Sequence, residues 1–245
     1  MTVQIDTNEL TPDYRDMAVR LLKRQLLAES ATAELFGDAI RLGPTWRDRV
    51  RQAEFTEEEA DHVRICAEVL EALGADVDEI LAQRGNAGEF FGAKKTGFDS
   101  WIDVIAFNLI GDRAGTAQIR AYHRNSLDAW GGQIDKILRD ESRHQSYGAD
   151  QSIELCQDPE LRRQMQATVD RILPPTVKRA FGRLDGEENE YCLRVGLKNM
   201  TTEEVQMRYF DSLAPIMERA GLRFPDFTAQ GVVLAPSVKQ KFGLN

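Results

Sequence analysis

Hydrophobic residues recur every three or four positions through long stretches of the chain, which is the period of an amphipathic α-helix. The first stripe, in residues 12–41, includes Leu22, Leu26 and Phe36. Turn-forming residues such as Gly43 and Pro44 separate one stripe from the next. The pattern predicts four long helices, over residues 12–41, 45–73, from about 98 into the 120s, and 127–156.

The rest of the chain also has helical periodicity, with clear punctuation. Residues 85–97 are rich in glycine and aromatics and are expected to form a connection. A further helix is expected to begin at Asp158-Pro159, and Pro174-Pro175 are expected to interrupt it. The capping-box pattern of residues 201–204 predicts the start of a last helix that ends near Gly221.

These elements define an all-α fold, a four-helix bundle with additional C-terminal helices. We expect one domain over residues 1–245. The core bundle covers about residues 12–157, a helical extension about 158–226, and the tail after residue 226 is expected to be irregular. A chain of 245 residues is long enough to bury a large core.

Charged residues interrupt the apolar stripes in a repeated arrangement. Two of the three histidines follow a glutamate by three positions, as Glu59 with His62 and Glu141 with His144. Residues at i and i+3 share one face of a helix, so each pair can hold a metal ion from one side. Glu29 precedes Glu59 by 30 residues, and Asp112 precedes Glu141 by 29, each on an inner stripe of its own helix.

Ferritin-like dinuclear bundles have a characteristic set of ligands: one carboxylate from each of two helices and a Glu-x-x-His pair from each of the other two. Four carboxylates in a helical core are very costly to bury unless cations compensate their charge. Oxygen and imidazole ligands with open positions suit iron or manganese. The alternative is that these side chains are surface charges on amphipathic helices. The metal ligands predicted by the pattern are Glu29, Glu59, His62, Asp112, Glu141 and His144.

The net charge of −9 argues against binding to nucleic acids or anionic membranes, because the chain has no excess of cations to neutralise phosphates. The three cysteines lie far apart without CxxC spacing, which indicates buried thiols in a reducing compartment. No apolar run approaches the length of a membrane span, and the first residues lack the blocks of a signal peptide. We therefore expect a cytoplasmic protein.

Four segments carry a resemblance to a known family: EEADH (58–62), SWIDVIAFNLIGD (100–112), DESRHQSYG (140–148) and GLRFPD (221–226). On these residues the chain resembles the phenylacetic-acid catabolic family of multicomponent di-iron oxygenases. DESRH is also similar to the D-E-x-R-H signature of bacterial multicomponent monooxygenases. The resemblance implies a ferritin-like fold, two iron ions and O₂ as a co-substrate. It further implies a small organic substrate, with an aromatic acyl-CoA as the first candidate.

The chain departs from the family at one position near the predicted ligands. The family's catalytic subunits carry a lysine one turn before the glutamate of the second helix, and this chain has Phe55 there. That change favours a substrate other than a CoA ester. Pocket candidates are Phe55, Phe91, Trp101 and Asn108, although aromatic clusters more often form core.

Residues beside the predicted ligands are candidates for supporting roles. Asp140 and Glu58 each precede a ligand glutamate and are candidates to accept hydrogen bonds from ligand histidines, with Arg143 neutralising them. The alternative is solvated surface charge. Gly111, Gly115 and Gly148 either leave room for O₂ and substrate or allow close helix packing.

The leading functional hypothesis is a di-iron monooxygenase that hydroxylates or epoxidises its substrate. No flavin, NAD or iron–sulfur motif is evident, so a separate reductase is expected to supply electrons. A partner subunit or a homo-oligomer is also expected. The alternatives are a stand-alone oxygenase of natural-product biosynthesis with a non-CoA substrate, and a metal-binding or structural bundle subunit.

Overall fold

The computed structural model describes residues 3–83, 97–181, 184 and 186–245, and every regular element in these residues is helical. The all-α class is therefore confirmed. In chain order the helices are α1 Pro12–Ala39, α2 Trp46–Ala72, α3 Val77–Ala82, α4 Trp101–Ala121, α5 Asp128–Gly131, α6 Ile134–Leu155, α7 Pro159–Phe181, α8 Glu187–Arg194, α9 Thr202–Arg219 and α10 Pro236–Phe242.

The chain forms two compact units, and the first lies within residues 1–101, 124–137 and 195–197. Its main feature is the packing of α1 against α2. Phe36 near the end of α1 contacts Phe55 near the start of α2, with ring centroids 6.4 Å apart. At the other end, Nε of Arg15 donates a hydrogen bond of 2.8 Å to the carbonyl of Leu73. The two helices are therefore antiparallel, as neighbours joined by a short turn should be.

The predicted fourth helix is divided in two. Helix α5 ends at Gly131, and Gly132 follows it before α6 begins, which fits the low helix propensity of glycine. A side chain at Gly131 would lie 3.1 Å from the carbonyl of Asn125, so the turn also requires a small residue there. Lys136, in the first turn of α6, forms an ion pair with Asp61 and thus ties this segment to α2.

The second unit lies within residues 102–123, 138–194 and 198–245. Contacts between α4 and α6 pair Thr116 with Glu141 and Asn108 with Gly148, so these helices are also antiparallel. Helix α9 contacts α4. The hydroxyl of Tyr209 in α9 donates to the carbonyl of Ile110 at 3.4 Å.

The expected interruption at Pro174-Pro175 is wrong, because α7 continues through both prolines. Each proline removes one backbone N–H, and the carbonyls that lose a partner are those of Asp170 and Arg171. Both residues are exposed, so water can solvate these carbonyls. The hydroxyl of Thr176 donates to the carbonyl of Ile172 at 2.7 Å and supports the following turn.

The expectation of an irregular tail is wrong for its last part, where α10 forms with proline in its first turn. The side chain of Gln206 in α9 holds the segment before it. Gln206 donates to the carbonyl of Val233 at 3.2 Å and accepts from the backbone N–H of Ala235 at 2.9 Å. The sequence analysis also missed the short helix α8. The last long helix, α9, has the predicted capping box between Thr201 and Glu204.

Two further expectations concern burial. In the part of the chain that the structure describes, no helix has the length and apolar character needed to cross a bilayer. The cysteines Cys66, Cys156 and Cys192 are buried thiols, as expected.

Candidate metal centre

The first unit brings three of the predicted ligands together. Glu29 comes from α1, and Glu59 and His62 come from successive turns of α2. Nδ1 of His62 lies 3.9 Å from Oε2 of Glu29 and 3.8 Å from Oε2 of Glu59. Each residue offers one ligand atom, and these atoms lie within 4.8 Å of one another. All three side chains are buried, so the alternative of surface charges does not hold for this group.

Burial and charge together shift the pKa values of this triplet. Burial, and then repulsion from Glu59, raise the pKa of Glu29 to about 7. Burial alone would lower the pKa of His62, but the adjacent carboxylates of Glu29 and Glu59 outweigh it and raise the pKa to about 12. In the absence of a metal, a protonated imidazole thus occupies the position between two carboxylates. A divalent cation can replace that proton and supply more positive charge.

Two neighbouring side chains modify the environment of Glu29. Gln25, one turn earlier on α1, donates a hydrogen bond to Oε1 of Glu29 and orients the carboxylate. Cys66, one turn after His62, is buried, and burial together with the charge of Glu29 raises the pKa of its thiol. A thiol with a raised pKa is a poor nucleophile, so Cys66 fills space rather than reacting.

The second unit contains the other three predicted ligands, Asp112 on α4 and Glu141 and His144 on α6, and all are buried. The link between the helices is Thr116. Its Oγ1 lies 3.2 Å from Oε2 of Glu141 and 2.9 Å from the backbone carbonyl of Asp112. Nε2 of Gln145 donates a hydrogen bond to Oγ1 of Thr116. The hydroxyl therefore holds its single proton between two acceptors.

Sequence analysis missed Thr116, Gln145 and Arg113. Thr116 follows Asp112 by four positions, and Gln145 follows Glu141 by four, so an extension of the ligand stripe by one turn would have found both. Arg113 is buried beside Asp112. Its Nε donates to the carbonyl of Leu109 at 3.0 Å, and its guanidinium lies 3.4 Å from Oε1 of Gln145. Arg113 thus braces α4 against α6.

The supporting candidates differ in their surroundings. Asp140 is buried and forms an ion pair of 2.9 Å with Arg143, whose side chain is half exposed. Arg143 therefore compensates the negative charge of Asp140. Glu58 is only half-buried on α2.

The pocket candidates fall into three groups. Phe55 is buried against Phe36, with the guanidinium carbon of Arg51 5.9 Å from its ring centroid. Trp101 is half-buried at the start of α4. Asn108 is fully buried one turn before Asp112. Phe91 lies outside the described residues.

The glycines near the ligands are not equivalent. A Cβ at Gly148 would lie 2.8 Å from Cβ of Asn108 and 2.8 Å from the backbone nitrogen of Leu109, so α4 and α6 pack closely there. A Cβ at Gly111 would approach the ring of Phe107 at 2.8 Å. Among the described residues, none has an atom within 4 Å of a Cβ added at Gly115. Close packing therefore explains Gly148, whereas the described part of the chain leaves open space beside Gly115.

The fold and these side chains define the class of protein: a helical protein with a buried Glu/His cluster that resembles a metal site. The family model described as "Phenylacetic acid catabolic protein" matches residues 1–232, and the chain belongs to that family. This confirms the family resemblance. The chain is also similar to an Escherichia coli (strain K12) protein that is named as one of the subunits of 1,2-phenylacetyl-CoA epoxidase. The two are 25% identical over 229 residues, covering 91% of this chain and 73% of the relative.

Proposed function

We propose that this protein is a non-haem di-iron monooxygenase that uses O₂ to hydroxylate or epoxidise an organic substrate. The observation that carries the proposal is the buried triplet of Glu29, Glu59 and His62, whose ligand atoms lie within 4.8 Å of one another. Membership of the phenylacetic acid catabolic family supports it. The residues that would hold two iron ions are Glu29, Glu59, His62, Asp112, Glu141 and His144.

The donor set suits the proposed metal. Carboxylate oxygens and neutral imidazole nitrogens bind iron and manganese well, and the triplet has no thiolate ligand that would favour zinc. When bound, the two ferrous ions supply the electrons and the reaction centre for O₂ activation. The protein supplies the positions of the ligands and excludes bulk water, because the predicted ligands are buried.

Neighbouring side chains orient and tune the carboxylates. Gln25 fixes Glu29 by a hydrogen bond, and Thr116 does the same for Glu141. The hydroxyl of Thr116 can turn from Glu141 to the carbonyl of Asp112, which moves its proton without a change in helix position. Asp140, paired with Arg143, and Glu58 have the proposed role of accepting hydrogen bonds from the ligand histidines.

An aromatic acyl-CoA is the first candidate substrate, because the similar Escherichia coli protein is named as a phenylacetyl-CoA epoxidase subunit. Phe55, Trp101 and Asn108 are the proposed pocket residues. Phe55 places a phenyl ring, buried against Phe36, at the position where the family's catalytic subunits carry a lysine. This observation favours the second candidate, an oxygenase with a non-CoA substrate.

The relative is named as one subunit of an enzyme, so we propose that this chain also works with a partner subunit or a second copy of itself. A separate reductase is the proposed electron donor. A cytoplasmic location belongs to the same proposal.

Metal analysis and single-turnover oxidation test the function. Purified protein, loaded anaerobically with Fe²⁺, should retain two irons per chain, and His62→Ala should lose iron without loss of helix content by circular dichroism. The reduced protein is then mixed with O₂ and either phenylacetyl-CoA or phenylacetate. Mass spectrometry should detect one added oxygen atom in the preferred substrate. Iron binding with no oxygen incorporated into either compound would contradict an oxygenase of phenylacetyl substrates and favour a metal-binding or structural subunit.

A further inference from the structure

The polar stripe along α4 and α6 continues beyond the predicted ligands. On α4, Asn108 lies one turn before Asp112. On α6, Ser152 lies two turns after His144. Both side chains have a relative exposure of 0%. The stripe therefore places uncharged polar groups in the core. These groups lie between the predicted ligands and the start of α4.

These polar groups have no hydrogen-bond partner among the described residues. The atoms concerned are Nδ2 and Oδ1 of Asn108 and Oγ of Ser152, and all three are sealed from solvent. Buried polar groups in native proteins are nearly always paired, so each exception needs a cause. Gln206, an equally buried amide in the same unit, has partners for both its nitrogen and its oxygen.

Helix register places Asn108 and Ser152 near each other. A Cβ at Gly148 would touch Cβ of Asn108, so these positions face each other across the two helices. Ser152 lies on the next turn of α6, on the same face as Gly148. Because the helices are antiparallel, Ser152 is level with the turn of α4 that precedes Asn108. Ile105 and Leu109, both fully buried, provide apolar neighbours on α4.

We propose that Asn108 and Ser152 form a substrate subsite that binds a neutral carbonyl group and rejects a carboxylate. The subsite offers N–H and O–H donors to a carbonyl oxygen, and Oδ1 of Asn108 can accept from an adjacent N–H or O–H. Neither residue has a cation within hydrogen-bond distance among the described residues. A carboxylate would lose its hydration there without gaining a counter-charge.

This inference rests on the proposed oxygenase function and narrows its substrate. Esters, thioesters and amides fit the subsite, whereas free acids do not. An acyl-CoA satisfies this requirement through its thioester carbonyl, and so does a carrier-bound or amide substrate. A discriminating polar site of this kind is more selective than an apolar pocket, because an unmatched ligand leaves buried groups unpaired.

The test compares three ligands with one ring and different polar groups: phenylacetamide, phenylacetate and ethylbenzene. Calorimetric titration is done on metal-free and on iron-loaded protein. We expect phenylacetamide to bind at least about tenfold more tightly than phenylacetate, a difference of about 1.4 kcal/mol. Asn108→Leu should weaken phenylacetamide about tenfold and leave ethylbenzene within about twofold. Ser152→Ala should have a smaller effect in the same direction.

Gln206→Leu is the matched control, since it removes a buried amide that already has partners. It should lower the melting temperature and leave the preference for phenylacetamide unchanged, whereas Asn108→Leu should not lower the melting temperature. Phenylacetate binding as tightly as phenylacetamide would overturn the subsite. An unchanged phenylacetamide affinity in Asn108→Leu would also overturn the subsite and indicate that a buried water pairs with Asn108. The absence of phenylacetamide binding at about 10 mM would lead to the same conclusion.

The metal-free titration separates this inference from the proposed function. If the protein fails to bind or use iron, the ligand preference of Asn108 can still be measured. If the loaded protein oxidises substrate and Asn108→Leu changes neither affinity nor preference, the oxygenase stands and the subsite does not.

Discussion

Oγ1 of Thr116 lies 3.2 Å from Oε2 of Glu141, so a hydroxyl on α4 contacts a predicted metal ligand on α6. Thr116 is itself held by Gln145, one turn after Glu141. A carboxylate with a neutral hydrogen-bond donor keeps its charge for a metal and has a fixed orientation. The position of Glu141 thus depends on residues that are not ligands.

Thr116→Val removes this hydrogen bond without a large change in volume. We expect iron content to stay near that of the wild type, because the ligands remain. We expect the yield of oxidised product per O₂ consumed to fall severalfold, because Glu141 is less well oriented. Oxygen uptake and product are measured together. Thr116→Ser should restore the yield, and a wild-type yield in Thr116→Val would show that the hydroxyl has no functional role.

Glu59→Gln should have opposite effects on the metal-free and the metal-loaded protein. At pH 8 the metal-free triplet carries two carboxylates and one imidazolium, a buried net charge of −1. Glu59→Gln leaves one carboxylate, Glu29, paired with the imidazolium of His62, so the triplet has no net charge to bury. We expect the melting temperature without metal to rise by about 2–4 °C, which corresponds to about 1 kcal/mol for a protein of this size. With Fe²⁺ or Mn²⁺, the wild type should gain stability and the variant should gain little. Calorimetry with and without metal checks this prediction, which fails if Glu59→Gln is destabilised in both states.

The sequence predicted the long helices well because their boundaries depend on local signals. Thr45 and Thr201 cap their helices through side-chain hydrogen bonds. In both cases an acidic residue follows the threonine by three positions, which is the sequence pattern of a capping box. The i, i+3 spacing of Glu59 and His62 likewise fixed their common face. These features need only a few neighbouring residues, so periodicity and capping rules suffice.

Features that depend on distant contacts were not predictable in the same way. Helix α7 passes through Pro174-Pro175 because exposed carbonyls tolerate the loss, which requires knowledge of its solvent-facing side. The tail is ordered by Gln206, which lies 27 residues before its partner Val233. The unpaired atoms of Asn108 depend on the rotamers and helix register of its surroundings. The sequence nominated Asn108 as a pocket residue, but it could not show that the polar atoms of its amide are buried and lack partners among the described residues.

Metal affinity should depend on pH in a way that identifies Glu29. The raised pKa of about 7 means that Glu29 is protonated below neutral pH in the metal-free protein. His62, with a pKa of about 12, is protonated throughout the working range. Metal binding must therefore release one proton from this triplet at pH 8 and two protons at pH 6, and affinity falls more steeply on the acidic side.

Glu29→Gln provides the comparison for this effect. The plot of log affinity against pH should be less steep in the variant by about one unit below pH 6 and equally steep above pH 8. Mn²⁺ titrations in buffers of different ionisation enthalpy give the proton count directly. Equal slopes in the two proteins below pH 6 would mean that Glu29 loses its proton at a lower pH than its surroundings imply.

The two glycines Gly148 and Gly115 should respond in opposite ways to the same substitution. Gly148→Ala places a Cβ 2.8 Å from backbone atoms of α4, which cannot move away as a flexible side chain can. We expect a loss of about 1–3 kcal/mol in the free energy of unfolding. Gly115→Ala meets no atom of the residues that the structure describes within 4 Å, and alanine is the better helix former, so a gain of about 0.5–1 kcal/mol is expected. Chemical denaturation measures both free energies of unfolding.

Because Gly148 faces Asn108, Gly148→Ala should also weaken phenylacetamide binding, whereas Gly115→Ala should leave it unchanged. Equal stability changes in the two variants would contradict the close approach of α4 and α6.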